Sequence, residues 1–263
     1  KSIEREIKKK FDKIILGTAQ FGYQYGINNR NKKMDQKKVF KILTFAKDNY
    51  INYLDTAESY KKSEQRIGNY QKINKNFFNV ITKFKIDKLD KIKTSFTKIK
   101  SKKIFSLLIH NPSQIEKGYE IKKLNNELLK FKKKTKYFGV SLNYPYEFHH
   151  FKKNKLFKIY QIPYNILDFR WDEILSKKEN SYDIYARSIF LQGLLLTNKK
   201  NCPLNLRKEF DLVKKKLFFL KKRLNRFDEK DLLFNYVNNN NKINKIIIGI
   251  DNLNQVKQIP FYL

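Results

Sequence analysis

The chain has 263 residues, with 58 Lys and Arg against 25 Asp and Glu and a formal net charge of +33. Apolar residues make up 41%, with 22 Phe and 16 Tyr, enough to build a core and to exclude a disordered chain. One cysteine, Cys202, and three His exclude an intrachain disulfide, a Cys-based zinc site and a His-rich metal cluster, and they favour a reducing compartment.

Residues 1–13 are charged throughout and lack the apolar stretch of a signal peptide. No run approaches the roughly 18 apolar residues of a membrane span, so the expectation is a soluble, cytoplasmic protein. Short apolar, β-branched runs follow at 13–17, 51–56, 79–83, 104–110, 137–141, 157–163, 181–188 and 245–249. They are apolar at both parities, as strands covered on both faces of a parallel sheet must be. Between them Asp35 is the predicted N-cap of a helix carrying Val39, Ile42, Leu43 and Ala46 at helical spacing. Further helices are predicted at 63–70, 87–99, 114–132, 146–151, 172–178, 206–225 and 229–238, and Asp251 or Asn252 caps a short last one. Eight strand–helix alternations without a Pro-, Gly- or Ser-rich linker predict one α/β domain over residues 1–263, a single (β/α)8 TIM barrel.

Only eight of the 58 basic residues are Arg, and the Lys are spread from end to end. Nucleic-acid readers cluster charge and use Arg for bidentate contacts. Lys here accompanies abundant Asn, Ile, Phe and Tyr, the skew of A/T-rich codons. The charge therefore reads as a solvated surface, with weak, salt-labile polyanion binding and no specific nucleic-acid or membrane partner.

Chemistry in such barrels sits at the C-terminal ends of the strands. Those ends carry Asp55, Lys83, His110 and Gln161, together with Ser141 and Arg187-Ser188. Polar groups at the tips of apolar strands cost desolvation energy unless they pair with one another. Four strands converging on one mouth make that pairing available.

The segments LGTAQFG (16–22), LDTAESY (54–60), SEQRIG (63–68), ITK (81–83), LLIHNP (107–112), FGVS (138–141), YQIPYN (160–165) and IIIGIDNLNQV (246–256) resemble the aldo-keto reductase family over nearly the whole chain. YQIPYNILDFR (160–170) and ARSIFLQGLLL (186–196) further resemble bacterial members found with surface-polysaccharide genes. The resemblance implies a catalytic tetrad of Asp55, Tyr60, Lys83 and His110, with Tyr60 as proton donor to an aldehyde, ketone or sugar carbonyl that receives hydride from NAD(P)H, and no metal. A neighbouring Lys ammonium is expected to lower the Tyr60 pKa, and neutral His110 to orient the carbonyl.

On the cofactor side the resemblance implies Gly17, Thr18, Ser141, Gln161, Arg187, Ser188, Gly249 and Gln255. Several depart from the family pattern. Leu142 replaces an Asn after Ser141, Arg187 stands where a Tyr stacks on the nicotinamide, and Gly249 and Gln255 stand where basic residues grip a 2′-phosphate. A guanidinium plane also stacks on aromatic rings. Asp251 adds negative charge nearby and Lys257 positive charge. The family norm makes NADP(H) the expected cofactor over NAD(H). Lys61 follows Tyr60 where the family has Gly, and residues 193–207 are expected at the pocket rim. The competing reading is a non-catalytic barrel that binds nucleotide or partners and keeps the tetrad as a relic.

Overall fold

The computed structural model describes residues 2–27, 34–116 and 120–263. Eight parallel strands close a barrel in chain order: β1 (Ile14–Gly17), β2 (Tyr53–Asp55), β3 (Asn79–Phe84), β4 (Ile104–Ile109), β5 (Thr135–Ser141), β6 (Phe157–Pro163), β7 (Asp183–Arg187) and β8 (Lys245–Gly249). Closure comes from β1 pairing with both β2 and β8. This is the expected (β/α)8 TIM barrel.

Alternation along the strands sorts their side chains into two packed regions. Ile15, Ile81, Leu108, Ile159, Tyr185 and Ile247 form one buried cluster from six strands, filling the barrel interior. Residues of the other parity, such as Leu16, Leu54, Val80, Leu107, Val140 and Ile248, pack outward under the helices. Two residues beyond the interior cluster lie Gly17, Lys83, His110, Gln161, Arg187 and Gly249. A period of two thus delivers each strand's polar residue to the mouth.

The helices follow their predicted positions with local differences. Asp35 caps Gln36–Asp48, its carboxylate accepting the Lys38 N–H at 2.8 Å, and the same kind of side-chain capping recurs where Asn252 caps Leu253–Gln258. The predicted helix 87–99 splits into a 3-10 turn, Ile86–Lys88, and a helix, Lys91–Ile99. Of the predicted helix 114–132, Ser113–Glu116 and Ile121–Leu129 are helical; residues 117–119 lie outside the described residues. Between β7 and β8 run the two expected helices, Arg207–Arg223 and Glu229–Asn238, preceded by three 3-10 turns.

One element is unforeseen. Ser2–Asp12 is a helix, and it ends at the barrel floor. There Lys245 Nζ donates to Asp12 O at 2.5 Å and pairs with Asp12 Oδ2 at 2.9 Å, lying 3.8 Å from the centre of the Tyr53 ring. Among the described residues no helix is long and apolar enough to cross a membrane.

Candidate active site

At the opposite end a cavity of about 730 Å³ opens among the loops that follow the strands. Asp55, Tyr60, Lys83 and His110 all line it. Lys83 and Asp55 are nearly inaccessible, and their ion pair is short, Nζ to Oδ2 2.6 Å. Lys83 also donates to Thr56 O at 2.9 Å, and Gln161 Nε2 donates to Asp55 Oδ1 at 2.6 Å. Both carboxylate oxygens are thereby engaged, as a buried charge requires. The Lys83 ammonium lies 5.1 Å from the centre of the Tyr60 ring, and His110 meets the same ring edge-on at 5.8 Å between centroids.

The electrostatics differ from the sequence-based expectation at one point. Burial, with Asp55 adding to it, pushes the Tyr60 phenol well above its ordinary value. Lys83 is paired with Asp55, and the cation that pulls Tyr60 the other way is Arg187. Tyr60 is consequently a firmly protonated phenol. Burial also holds the Lys83 ammonium below its ordinary value against the pull of Asp55. His110 is driven down to about 3, first by burial and then by Lys83 and Arg187, so it is neutral at physiological pH. Its Nδ1 lies 3.2 Å from Ser59 Oγ. With the Ser59 hydroxyl as donor, the ring proton sits on Nε2, free to serve a ligand.

Why Tyr60 stands where it does is a matter of backbone packing. Thr18 Oγ1 donates to Asp55 O at 2.9 Å and meets Ser63 Oγ at 2.8 Å, while Thr56 Oγ1 donates to Ser63 Oγ at 3.0 Å. These buried hydroxyls tie the β1 and β2 ends to the helix Ser63–Asn74. Gly22 presses against the turn between them. A Cβ on it would lie 1.7 Å from Tyr60 O, so no side chain fits without moving the tyrosine. Lys61 has φ +49°, the left-handed region that Gly adopts freely, and its Nζ lies 5.8 Å from the Tyr23 ring centre.

The residues expected on the cofactor side also converge, with one exception. Gly17, Thr18, Ser141, Arg187, Ser188, Gly249 and Gln255 line the cavity; Gln161 lies behind them, turned to Asp55. Gln255 is engaged locally: its Oε1 accepts the Asp251 N–H at 2.7 Å and its Nε2 donates to Asp251 Oδ2 at 3.2 Å. Arg187 Nη2 donates to Leu142 O at 2.8 Å and to Asn143 Oδ1 at 2.7 Å. Lys257 is not at the cavity; it lies 6.0 Å from the Phe45 ring centre, and the cation on this wall is Lys230. Of the rim expected over 193–207, Gly193 and Leu196 line the cavity.

Sequence reasoning overlooked Gln20, Tyr23 and Tyr25 on the wall, although they follow directly on the β1 tip. It also overlooked the strained turn after β7, where Ser188, Leu191, Gln192 and Gly193 all have positive φ. Ile27 N donates to Gln192 O at 3.0 Å, joining the loop after β1 to that turn.

The cavity fits a dinucleotide by size and by chemistry. Buried polar atoms without protein partners, Gln20 Oε1, Gln161 Oε1, Arg187 Nε and Asp251 Oδ1, belong to residues at or directly behind its wall. Gly17 and Gly249 face each other so closely that a Cβ on Gly17 would meet Gly249 at 3.3 Å, keeping the floor of this part free of side chains.

A model of the Aldo/keto reductase family matches residues 13–263. The chain belongs to the aldo/keto reductase family. Members of this family are oxidoreductases that reduce carbonyl groups of small molecules with a nicotinamide cofactor. Among the described residues no cluster of His, Cys, Asp and Glu could hold a metal ion. A search of the curated proteins found no match. Among solved structures, the holo form of an aldo-keto reductase from Bacillus halodurans is similar with a TM-score of 0.75 and 19% identity, over 95% of this chain and 86% of that one. The glycerol dehydrogenase from Gluconobacter oxydans is similar with a TM-score of 0.73 and 19% identity, over 94% of this chain and 85% of that one. At such identities these likenesses speak to the fold alone.

Proposed function

We propose that this aldo/keto reductase reduces an aldehyde, ketone or sugar carbonyl with Tyr60 as proton donor, His110 orienting the carbonyl oxygen, and Lys83 and Asp55 holding the acid in place. The observation that carries the reading is the gathering of these four side chains at one cavity, with the hydrogen-bonded Lys83–Asp55 pair beside the Tyr60 ring. Bound in this cavity, a reduced nicotinamide would supply the hydride for the carbonyl carbon. The Tyr60 hydroxyl gives its proton to the carbonyl oxygen as negative charge develops there, completing the alcohol. His110 Nε2–H donates to that oxygen beforehand and strengthens as the charge grows. The phenolate left behind is disfavoured by burial and by Asp55 and favoured by Arg187, so it recovers a proton readily.

Thr18, Ser141, Arg187 and Ser188 would hold the nicotinamide half of the cofactor, with Gln161 Oε1 an acceptor directly behind. Gly17, Gly249 and Gln255 would hold the remainder. The cofactor we propose is NADP(H), with Lys230 the cation on that wall for a 2′-phosphate. One observation favours NAD(H) instead: Asp251 Oδ1 is buried without a partner, repelling a phosphate and suiting a ribose hydroxyl. Fluorescence titration with both reduced cofactors decides between them, tighter NADH overturning the first reading. Resemblance to members found with surface-polysaccharide genes supports a sugar-derived carbonyl as the substrate, and the single buried thiol Cys202 suits the cytoplasm.

Tyr60→Phe tests the mechanism. Carbonyl reduction should fall by about 10²–10⁴-fold while cofactor titration changes little. Native turnover in that variant would remove Tyr60 from the role of acid.

A further inference from the structure

Nearly half of the large apolar side chains that stay exposed among the described residues lie between positions 204 and 227. The helix Arg207–Arg223 runs through this stretch. Its inner face is satisfied: Leu217 packs in a buried cluster with Leu195, Leu232 and Leu233, and Val213 and Leu220 pack against it. Its outer face is not. Lys208, Leu212, Lys215, Phe219 and Lys222 recur at three- and four-residue steps, so they share one side of the helix, and all five are exposed. Phe219 keeps 58% of its surface in water, and Phe227, just past the helix end, keeps 87%. Lys222 Nζ lies 4.5 Å from the centre of the Phe218 ring. From 207 to 227 nine basic residues stand against two acidic ones. Lys208, Lys215, Lys216, Lys222 and Arg223 belong to none of the ion pairs among the described residues.

Exposed apolar surface of this extent costs free energy in water, and cations around it set the chemistry of what can cover it. Phe and Leu interleaved with Lys on one helix face match a layer of phosphates over an apolar interior, because each long Lys stem lies along the apolar surface while its ammonium stays at the phosphates. The solvated surface expected from composition holds for the Lys spread over the rest of the chain; here the cations are interleaved with Phe and Leu. We propose that the outer face of the helix Arg207–Arg223 docks the protein on an anionic membrane surface, Phe219 and Phe227 entering the headgroup boundary and the flanking Lys and Arg meeting lipid phosphates. A second copy of the chain would bring the same excess of positive charge against itself. Single-stranded nucleic acid is held in grooves, and these side chains stand on the convex side of one helix.

Vesicle co-sedimentation of the full chain at about 0.15 M salt tests this, with phosphatidylcholine vesicles alone or containing about 30% phosphatidylglycerol. The wild type should bind the anionic vesicles and leave the neutral ones. Phe219→Ser with Phe227→Ser should weaken binding by about 10- to 100-fold. Lys215→Glu with Lys222→Glu should do the same, whereas Lys132→Glu with Lys133→Glu, an equal change of charge at another exposed site, should weaken it less than threefold, roughly. The indole introduced by Phe219→Trp should shift its emission to the blue on anionic vesicles, over a constant background from the buried Trp171. Thermal melts confirm that each variant is folded, and the emission shift stands as the measurement should a Ser or Glu variant fail to fold. Absent binding, equal binding to neutral vesicles, equal weakening by both charge pairs, or no emission shift each overturns the proposal. Loss of oligothymidylate binding in the Phe variant with vesicle binding intact assigns the face to nucleic acid, and a solution dimer dissolved by Phe219→Ser assigns it to a second copy; both overturn it.

Discussion

The two ends of this barrel carry the same three groups in nearly the same arrangement. At the mouth, Lys83 pairs with Asp55, donates to the Thr56 carbonyl and lies over the Tyr60 ring. At the floor, Lys245 pairs with Asp12, donates to the Asp12 carbonyl and lies over the Tyr53 ring. What separates them is burial and company. The mouth pair exposes 1% and 6% of its side chains, whereas at the floor Lys245 exposes 10% and Asp12 59%. Tyr60 faces a cavity and a neutral imidazole; Tyr53 meets Phe105 edge-on at 5.0 Å, and burial raises its phenol to about 12. A Lys–Asp–Tyr trio is therefore no signature of catalysis. It becomes one when the tyrosine opens onto a space that a second molecule can enter.

Breaking each pair in turn should expose the difference. Lys83→Met leaves the Asp55 carboxylate buried without a cation, and stability should fall by about 3–5 kcal/mol, roughly 10 °C in melting temperature, with carbonyl reduction lost. His110 tests the mouth's acid sensitivity. Its folded pKa of about 3 lies below the unfolded value of 6.5, so between those limits the unfolded chain takes up a proton that the native state refuses. Stability is lost as pH falls through that window. In urea melts at pH 7 and pH 5 the wild type should lose about 1–2 kcal/mol more than His110→Gln does. Lys245→Met, by contrast, should cost only about 1 kcal/mol and leave carbonyl reduction unchanged, because Asp12 is already solvated. The smallest effect belongs to the rim. Lys61→Gly should stabilise the protein by roughly 0.5–1 kcal/mol in thermal melts, by relieving the left-handed backbone at φ +49°.

The parts of this molecule that were legible in the sequence are those set by a short period. Apolar runs with Asp55, Lys83, His110, Gln161 and Arg187 at their tips specify both the barrel and the end at which polar groups meet, because a step of two along a strand keeps the side chain on one face. The helix Ser2–Asp12 was not legible, since Lys8, Lys9 and Lys10 mask its pattern; among its described side chains the buried one is Phe11. The choice of Asp55 as the partner of Gln161, from β2 to β6 across the barrel, is set by the closure of eight strands, which no local pattern encodes. The same holds for the pull on Tyr60. Proximity of a Lys suggests a lowered phenol, but the Asp55 partner and the desolvation of the cavity reverse the sign.

Gly22 has a practical corollary for anyone reshaping what this barrel accepts. Its missing methyl is the clearance through which the β1 loop touches the carbonyl of Tyr60. Libraries that randomise position 22 will recover chiefly molecules with a dislocated tyrosine. Variation at Tyr23 and Tyr25, one and three residues further out on the same wall, alters the pocket while leaving that joint untouched.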